Sequence, residues 1–167
     1  SFMMLVMIFM LVPQAQVSAE RINEVLDTKP HVVPGAKTEG SGTGTVEFRD
    51  VSFRYPGAAA DELEHISFKV EKGQTLAIIG ATGSGKTTLA SLIPRFYDAT
   101  AGTVLVDGLD VREYTFDALY NKLGYVTQKA VLFSGTVEDN VFFGQSKAEK
   151  TDASLQAALS LSQAAEF

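Results

Sequence analysis

A segment of nine residues, Gly80 to Thr88, constrains the fold of this chain more than any other. It reads GATGSGKTT and matches the pattern G-x-x-x-x-G-K-[ST] through Gly80, Gly85, Lys86 and Thr87. The pattern indicates a phosphate-binding loop where a buried strand precedes it and a helix follows it. Residues 75–79, TLAII, are apolar enough for a strand covered on both faces, and LASLIPRFY follows the loop. The sequence therefore predicts a strand, a phosphate-binding loop and a helix in succession.

The residue types in this loop follow from what a polyphosphate requires. Backbone N–H groups must point at the phosphate oxygens, and residues without a Cβ are needed where the chain crowds the ligand. Gly80, Gly83 and Gly85 meet that need. The Lys86 ammonium is predicted to reach the β- and γ-phosphates, and the Thr87 hydroxyl is predicted to bind Mg²⁺. We expect nucleotide contacts from the whole loop, namely Gly80, Ala81, Thr82, Gly83, Ser84, Gly85, Lys86, Thr87 and Thr88.

Composition and charge exclude several other functions. The 167 residues are 46% hydrophobic, which suits one globular core, and their formal net charge is −6. An acidic chain does not favour the phosphate backbone of nucleic acids. The chain has no cysteine, which excludes disulfides, thiolate zinc sites, iron–sulfur clusters and a cysteine nucleophile. We therefore expect no nucleic-acid partner.

The chain opens on an apolar run, Phe2 to Val12, of eleven residues without a polar side chain. A membrane-spanning helix needs about 20 apolar residues, so the run fits the last part of a transmembrane helix that begins upstream. Two alternatives stay open, since residues 17–19, VSA, have the small side chains of a signal-peptide cleavage site and a buried core helix also fits. Helical spacing continues through Ala15, Ala19, Ile22 and Leu26.

A connector and a set of short strands follow. Residues 31–45, HVVPGAKTEGSGTGT, have the composition of a flexible connector and mark a domain boundary. Strands are predicted from Val46 with a bulge between Phe48 and Val51, and then over Ile66–Val70 and Thr75–Ile79. Gly108 lies between Asp107 and Asp110, so a hairpin turn explains this pair better than a metal site. Asp152 is a predicted helix cap.

Three further segments carry a family resemblance. Residues 53–56 read FRYP, Gln128 follows the apolar residues 123–127, and residues 131–144 read VLFSGTVEDNVFFG. In this order they resemble the nucleotide-binding domain of an ATP-binding-cassette (ABC) exporter. The resemblance implies an α/β phosphate-loop NTPase fold, present in part. It makes residues 1–30 the end of the last transmembrane helix with a junction helix, 31–45 a linker, and 46–167 the N-terminal part of the nucleotide-binding domain.

The resemblance also implies roles for individual residues. Tyr55 matches the aromatic residue that stacks on adenine in this family, although a half-buried tyrosine at a strand end would look the same. Gln128 matches the glutamine that lies near Mg²⁺ and the attacking water. ATP and Mg²⁺ are thus the expected cofactors, Lys86 and Gln128 the expected catalytic residues, and Thr87 and Gln128 the expected contacts of the metal.

The implied activity is that of an ATPase that couples ATP binding and hydrolysis to export of a substrate across a cell membrane. The expected partners are a second nucleotide-binding domain, the transmembrane domain of the same chain and an unidentified substrate, with the nucleotide-binding domain on the cytoplasmic side. The sequence contains no LSGGQ-type signature, no Asp-Glu pair after an apolar strand and no switch histidine. We therefore expect this chain alone to bind nucleotide at most.

Two alternative functions stay open. One is a soluble cassette ATPase that moves no substrate, which the apolar start disfavours. The other is the half of a heterodimeric exporter that binds ATP and leaves hydrolysis to its partner, which the intact phosphate loop does not exclude.

Overall fold

The computed structural model describes residues 2–144 and 150–164. They divide into two compact units, with the boundary between Val33 and Pro34. This boundary falls inside the connector predicted over residues 31–45.

The first unit is dominated by one helix, α1 (Phe2–Asp27), of 26 residues. At 1.5 Å per residue it is about 39 Å long. The helix continues through Pro13, and its described large apolar side chains, such as Met3, Phe9 and Leu26, are exposed. By length and composition it is able to cross a membrane, since a stretch of 18 of its residues has a mean hydropathy of 1.8. At the end of the helix the Thr28 hydroxyl donates to the carbonyl of Glu24, and Pro30 disfavours helical geometry at Lys29, so the helix does not continue.

The second unit is built on an antiparallel sheet in the order β2-β1-β3-β4. Its strands are β1 (Val46–Phe53), β2 (Leu63–Val70), β3 (Ala101–Val106) and β4 (Leu109–Asp110). The pairing of β1 with β2 shifts register between Phe48 and Val51, so the predicted bulge is confirmed. Strand β2 begins at Leu63, three residues before the predicted start.

Five short helical segments complete the described part of this unit. They are α2 (Lys86–Leu92), a 3₁₀ turn (Val111–Glu113), α3 (Phe116–Tyr120), α4 (Val137–Val141) and α5 (Asp152–Leu161). The cap of α5 is Thr151, whose hydroxyl accepts from the Ser154 N–H, so the prediction that Asp152 is the cap is wrong by one residue.

The core lies between the sheet, α2 and the segment after β4. Apolar side chains from these elements pack together in one cluster: Phe48, Val51, Phe53, Leu63, Leu89, Leu92, Val104, Val106, Val111, Tyr114 and Leu119. Leu89 and Leu92 lie three positions apart on α2 and face the sheet. The core therefore fixes α2, and with it the residues that precede α2, against the start of β2.

The hairpin predicted at Gly108 is present. Asp107 and Gly108 have φ values of +53° and +73°, the left-handed pair that a tight two-residue turn requires, and β3 pairs with β4 across it. The Asp107 carboxylate binds Lys122, and the Asp110 carboxylate binds Arg112. Both aspartates thus stabilise the turn and the residues next to it through ion pairs.

The strand predicted over Thr75–Ile79 is absent from the described residues. These residues have no regular secondary structure, and Ile79 is 93% exposed. The apolar segment 123–127 is similar, with Val126 at 95% exposure. A strand exists only where a neighbour accepts and donates its hydrogen bonds, and no strand lies beside either segment in the part of the chain described.

The connector is held more closely than its composition predicts. The Gly35 N–H donates to the carbonyl of Tyr114, and Lys37 exchanges backbone hydrogen bonds with Glu113 and Thr115, at 2.8 to 2.9 Å. Ser41 N–H donates to the carbonyl of Asp107 in the hairpin. From Gly35 onward, backbone groups of this segment thus find partners in the β3–β4 turn and in the segment after β4.

Candidate functional site

The loop between residues 80 and 86 has the backbone shape that the motif predicts. Gly83 and Gly85 have φ values of +80° and +79°, which glycine adopts without strain. Gly85 is also the N-cap of α2. A Cβ on Gly85 would lie 2.8 Å from Cδ2 of Leu63, so the core side of this position is closed to any side chain.

The ammonium of Lys86 lies inside this loop. Its Nζ donates to the carbonyl of Ala81 at 2.6 Å, to that of Gly80 at 2.8 Å and to Oγ of Ser84 at 3.3 Å. These bonds use the three donors of an ammonium and hold a full positive charge at the centre of the loop. Phosphate oxygens are the kind of acceptor that competes well for such a group.

A cleft of about 330 Å³ opens over the loop. It is lined by Glu62, Thr82, Gly83, Ser84, Gly85, Lys86, Thr87, Thr88 and Gln128. The structure thus brings Gln128 to the loop across more than forty residues of sequence. Gly80 and Ala81 lie outside this lining, where their carbonyls accept from Lys86.

The two predicted contacts of Mg²⁺, Thr87 and Gln128, line the same cleft. A hydroxyl and an amide oxygen are hard donors, which suit Mg²⁺, and this ion usually takes few protein ligands beside substrate phosphates and water. The described residues hold no cluster of three or more His, Asp and Glu side chains that would form an all-protein cage for a metal. The donor set therefore fits a Mg²⁺ ion that binds together with phosphate.

Tyr55 lies beside the cleft and is not one of the residues that line it. Its hydroxyl is 3.0 Å from Oγ1 of Thr88 in the first turn of α2. Its ring packs edge-on against Phe53 and Tyr97, with centroids 4.8 and 5.3 Å away. The described geometry is that of a half-buried aromatic residue at the end of β1, next to a residue of the cleft.

Sequence reasoning missed one residue of the cleft, Glu62. It lies in the turn before β2, where its N–H donates to the carbonyl of Phe53 at 2.8 Å. The Arg54–Asp61 ion pair of 2.7 Å closes the same turn. Only the pairing of Phe53 with Leu63 brings Glu62 to the loop, and that register is not readable from a single residue in a polar turn.

Comparison with known proteins agrees with this geometry. The family model described as ABC transporter matches residues 63–166, more than half of the chain. An uncharacterized ABC transporter ATP-binding protein of Mycobacterium tuberculosis is 49% identical over 146 residues, which cover 85% of this chain and 25% of the relative. An ATP-dependent lipid A-core flippase of Aromatoleum aromaticum is 48% identical over 126 residues, which cover 75% of this chain and 21% of the relative.

A solved structure, that of a bacterial Atm1-family ABC exporter with ATP bound, has a TM-score of 0.84 and 34% identity. The match covers 98% of this chain and 29% of that one. The chain spans about a quarter of the length of these relatives. The α/β phosphate-loop fold predicted from sequence is thereby confirmed, and the chain belongs to the ABC transporter family, of which it carries part of the ATP-binding domain.

Proposed function

We propose that this chain is the part of an ABC exporter in which the last transmembrane helix joins the nucleotide-binding domain. The intact protein would use ATP binding and hydrolysis to move a substrate out across a membrane. The observation that carries the proposal is the cleft in which Lys86, Thr87 and Gln128 lie together. The relatives named as a lipid A-core flippase and a multidrug efflux protein support an exporter. Because these names differ in the substrate, we assign substrate selection to the membrane helices.

Each site residue has a proposed role. The Lys86 ammonium would bind the β- and γ-phosphates, and the loop N–H groups would hold the remaining oxygens. Thr87 and Gln128 would hold Mg²⁺, which when bound neutralises charge on the β- and γ-phosphates. Gln128 would also orient the attacking water, and an amide does so without bringing a charge into the site. Tyr55 would stack on adenine, for which it needs to leave the aromatic packing described above.

The proposed setting is a membrane with the nucleotide-binding domain on the cytoplasmic side. Helix α1 supports the membrane setting because, by length and composition, it is long and apolar enough to cross a membrane. The proposed partners are a second nucleotide-binding domain, which completes each ATP site, and the transmembrane domain of the same chain.

The test compares the full-length protein with its Lys86→Ala variant. ATP binding is measured by calorimetry without divalent cations, and hydrolysis is measured with Mg²⁺. We expect Lys86→Ala to lower the hydrolysis rate at least about a hundredfold, because it removes the charge that stabilises the transferred phosphoryl group. Lys72→Ala, an exposed lysine outside the cleft, is the matched control.

The outcomes separate the alternatives. Hydrolysis that survives Lys86→Ala would overturn the proposed site. Binding that depends on Lys86 without any hydrolysis would instead indicate a half-transporter that binds ATP and relies on a partner. A protein that stays in the aqueous phase after membrane extraction would favour the soluble cassette ATPase.

A further inference from the structure

Glu62 is the one carboxylate among the residues that line the cleft. A negative charge repels a polyphosphate, and Lys86 supplies the only positive charge of the lining. Along residues 2–144 and 150–164, no hydrogen bond or ion pair occupies the Glu62 side chain. The cleft thus holds a free carboxylate whose role the phosphate loop does not explain.

The backbone keeps Glu62 at this position. Its N–H is bonded to Phe53, and the next residue, Leu63, is buried in the core and paired with Phe53. Its Oε1 lies 3.6 Å from the position that a Cβ on Gly85 would occupy, so the carboxylate faces the start of α2. The backbone of Glu62 is therefore fixed beside the cleft by the start of β2.

Glu62 and Tyr55 lie beyond the same end of the β1–β2 pairing, one on each strand. Tyr55 comes two residues after Phe53, Glu62 comes directly before Leu63, and the two side chains meet the first turn of α2 at Thr88 and at Gly85. Lys86 follows in the same turn. This end of the sheet therefore offers an aromatic ring, a carboxylate and an ammonium within one helical turn.

Each part of a nucleotide has a matching group among these three. Phosphates require the ammonium, and the base requires an aromatic face. The ribose, which joins them covalently, offers two neighbouring hydroxyl donors, and a carboxylate accepts hydrogen bonds from such donors with both oxygens. We propose that Glu62 accepts hydrogen bonds from the ribose hydroxyls and makes this site prefer ribonucleotides to 2′-deoxyribonucleotides. The inference rests on the proposed function of the same site.

The test is calorimetric binding of ATP and of 2′-deoxyATP to the full-length protein, without divalent cations so that no hydrolysis occurs. We expect ATP to bind about tenfold more tightly than 2′-deoxyATP, as loss of one hydrogen bond to a charged group predicts. In Glu62→Ala this preference disappears, while 2′-deoxyATP binds as well as before or better. Glu62→Gln keeps the shape and one acceptor oxygen, and retains part of the preference. Glu64→Gln, an exposed carboxylate outside the cleft, leaves it unchanged.

The arms distinguish failure of the inference from failure of the proposed function. If Lys86→Ala abolishes nucleotide binding and the unmodified protein binds the two nucleotides with equal affinity, only the proposed role of Glu62 is overturned. An equal gain in affinity for both nucleotides in Glu62→Ala also overturns it, because the carboxylate then only repels phosphate. No binding of either nucleotide to the unmodified protein overturns both proposals.

Discussion

The ammonium of Lys122 donates a hydrogen bond of 2.7 Å to Oδ2 of Asp107, whose side chain is 7% exposed. The other carboxylate oxygen, Oδ1, accepts from the N–H of Gly44 at 2.5 Å. One buried charge thereby ties three segments together: the β3–β4 turn, the segment after α3 and the connector. The hydrogen bond from Lys122, together with that from Gly44, lowers the pKa of Asp107 below its usual value of 3.8.

This relationship predicts a pH-dependent contribution to stability. A carboxyl whose pKa is lowered by folding stabilises the folded state at pH values above its unfolded pKa, and the stabilisation is lost as the pH falls through the folded pKa. Asp107→Asn keeps a residue that tolerates the positive φ of this turn. We expect it to lower the free energy of unfolding at pH 7 by about 2 kcal/mol. Below about pH 4 the variant should lose little further stability, whereas the unmodified protein loses the contribution of its Asp107 carboxylate.

The measurement is thermal unfolding of the full-length protein between pH 3 and pH 7. The control is Asp50→Asn, which removes an exposed partner of His65 and should change the unfolding temperature little. Equal effects of the two substitutions would contradict the assigned role of Asp107.

Gly85→Ala should abolish nucleotide binding. The substitution introduces a Cβ 2.8 Å from Leu63 and at a φ of +79°, so the loop and the start of α2 must shift. Gly124→Ala is the matched control, since a Cβ there meets nothing within 4 Å. Calorimetric titration with ATP checks the prediction, and unchanged affinity of the Gly85 variant would show that the loop does not bind the nucleotide in this shape.

Two substitutions of Tyr55 should separate its hydroxyl from its ring. Tyr55→Phe removes the hydrogen bond to Thr88 and should cost about 1 kcal/mol of stability while ATP affinity stays close to that of the unmodified protein. Tyr55→Ala also removes the aromatic face and should weaken ATP binding by about 1 to 3 kcal/mol. Parallel unfolding and binding measurements test both, and full ATP affinity in Tyr55→Ala would leave Tyr55 as a packing residue only.

Thr87→Val should weaken the dependence of nucleotide affinity on Mg²⁺. Valine keeps the size and β-branching of threonine and lacks the hydroxyl that we assign to the metal. We expect ATP affinity without Mg²⁺ to stay within about twofold, and the additional affinity gained with Mg²⁺ to fall about tenfold, corresponding to about 1.4 kcal/mol. Thr82→Val, in the same cleft, is the control. A variant that responds to Mg²⁺ as the unmodified protein does would exclude Thr87 as a ligand.

The local features of the site were predictable from sequence because they depend on a few adjacent residues. The positive φ of Gly83 and Gly85, the bulge after Phe48 and the turn at Gly108 each follow from residue types within a short window. Glu62 was not predictable in this way, since its position depends on the register of two strands.

The same distinction explains why residues 35–45 and 75–79 differ from what their composition suggests. The glycines and serines of residues 35–45 indicate a connector, and nothing in that composition states that Tyr114 and Asp107 provide partners for its backbone. The apolar pattern of TLAII correctly describes a segment suited to a sheet interior, while strand formation also needs a neighbouring chain. The sequence pattern thus predicts which secondary structure suits a segment, and the tertiary contacts decide whether that structure forms.

Residues 75–79 also matter for handling the protein. A β-prone apolar stretch with open backbone groups pairs readily with any strand that comes near, a second copy of itself included. Protein in which this stretch stays exposed should therefore aggregate as its concentration rises. A charged residue in place of Ile79, which is already almost fully exposed, should delay that aggregation.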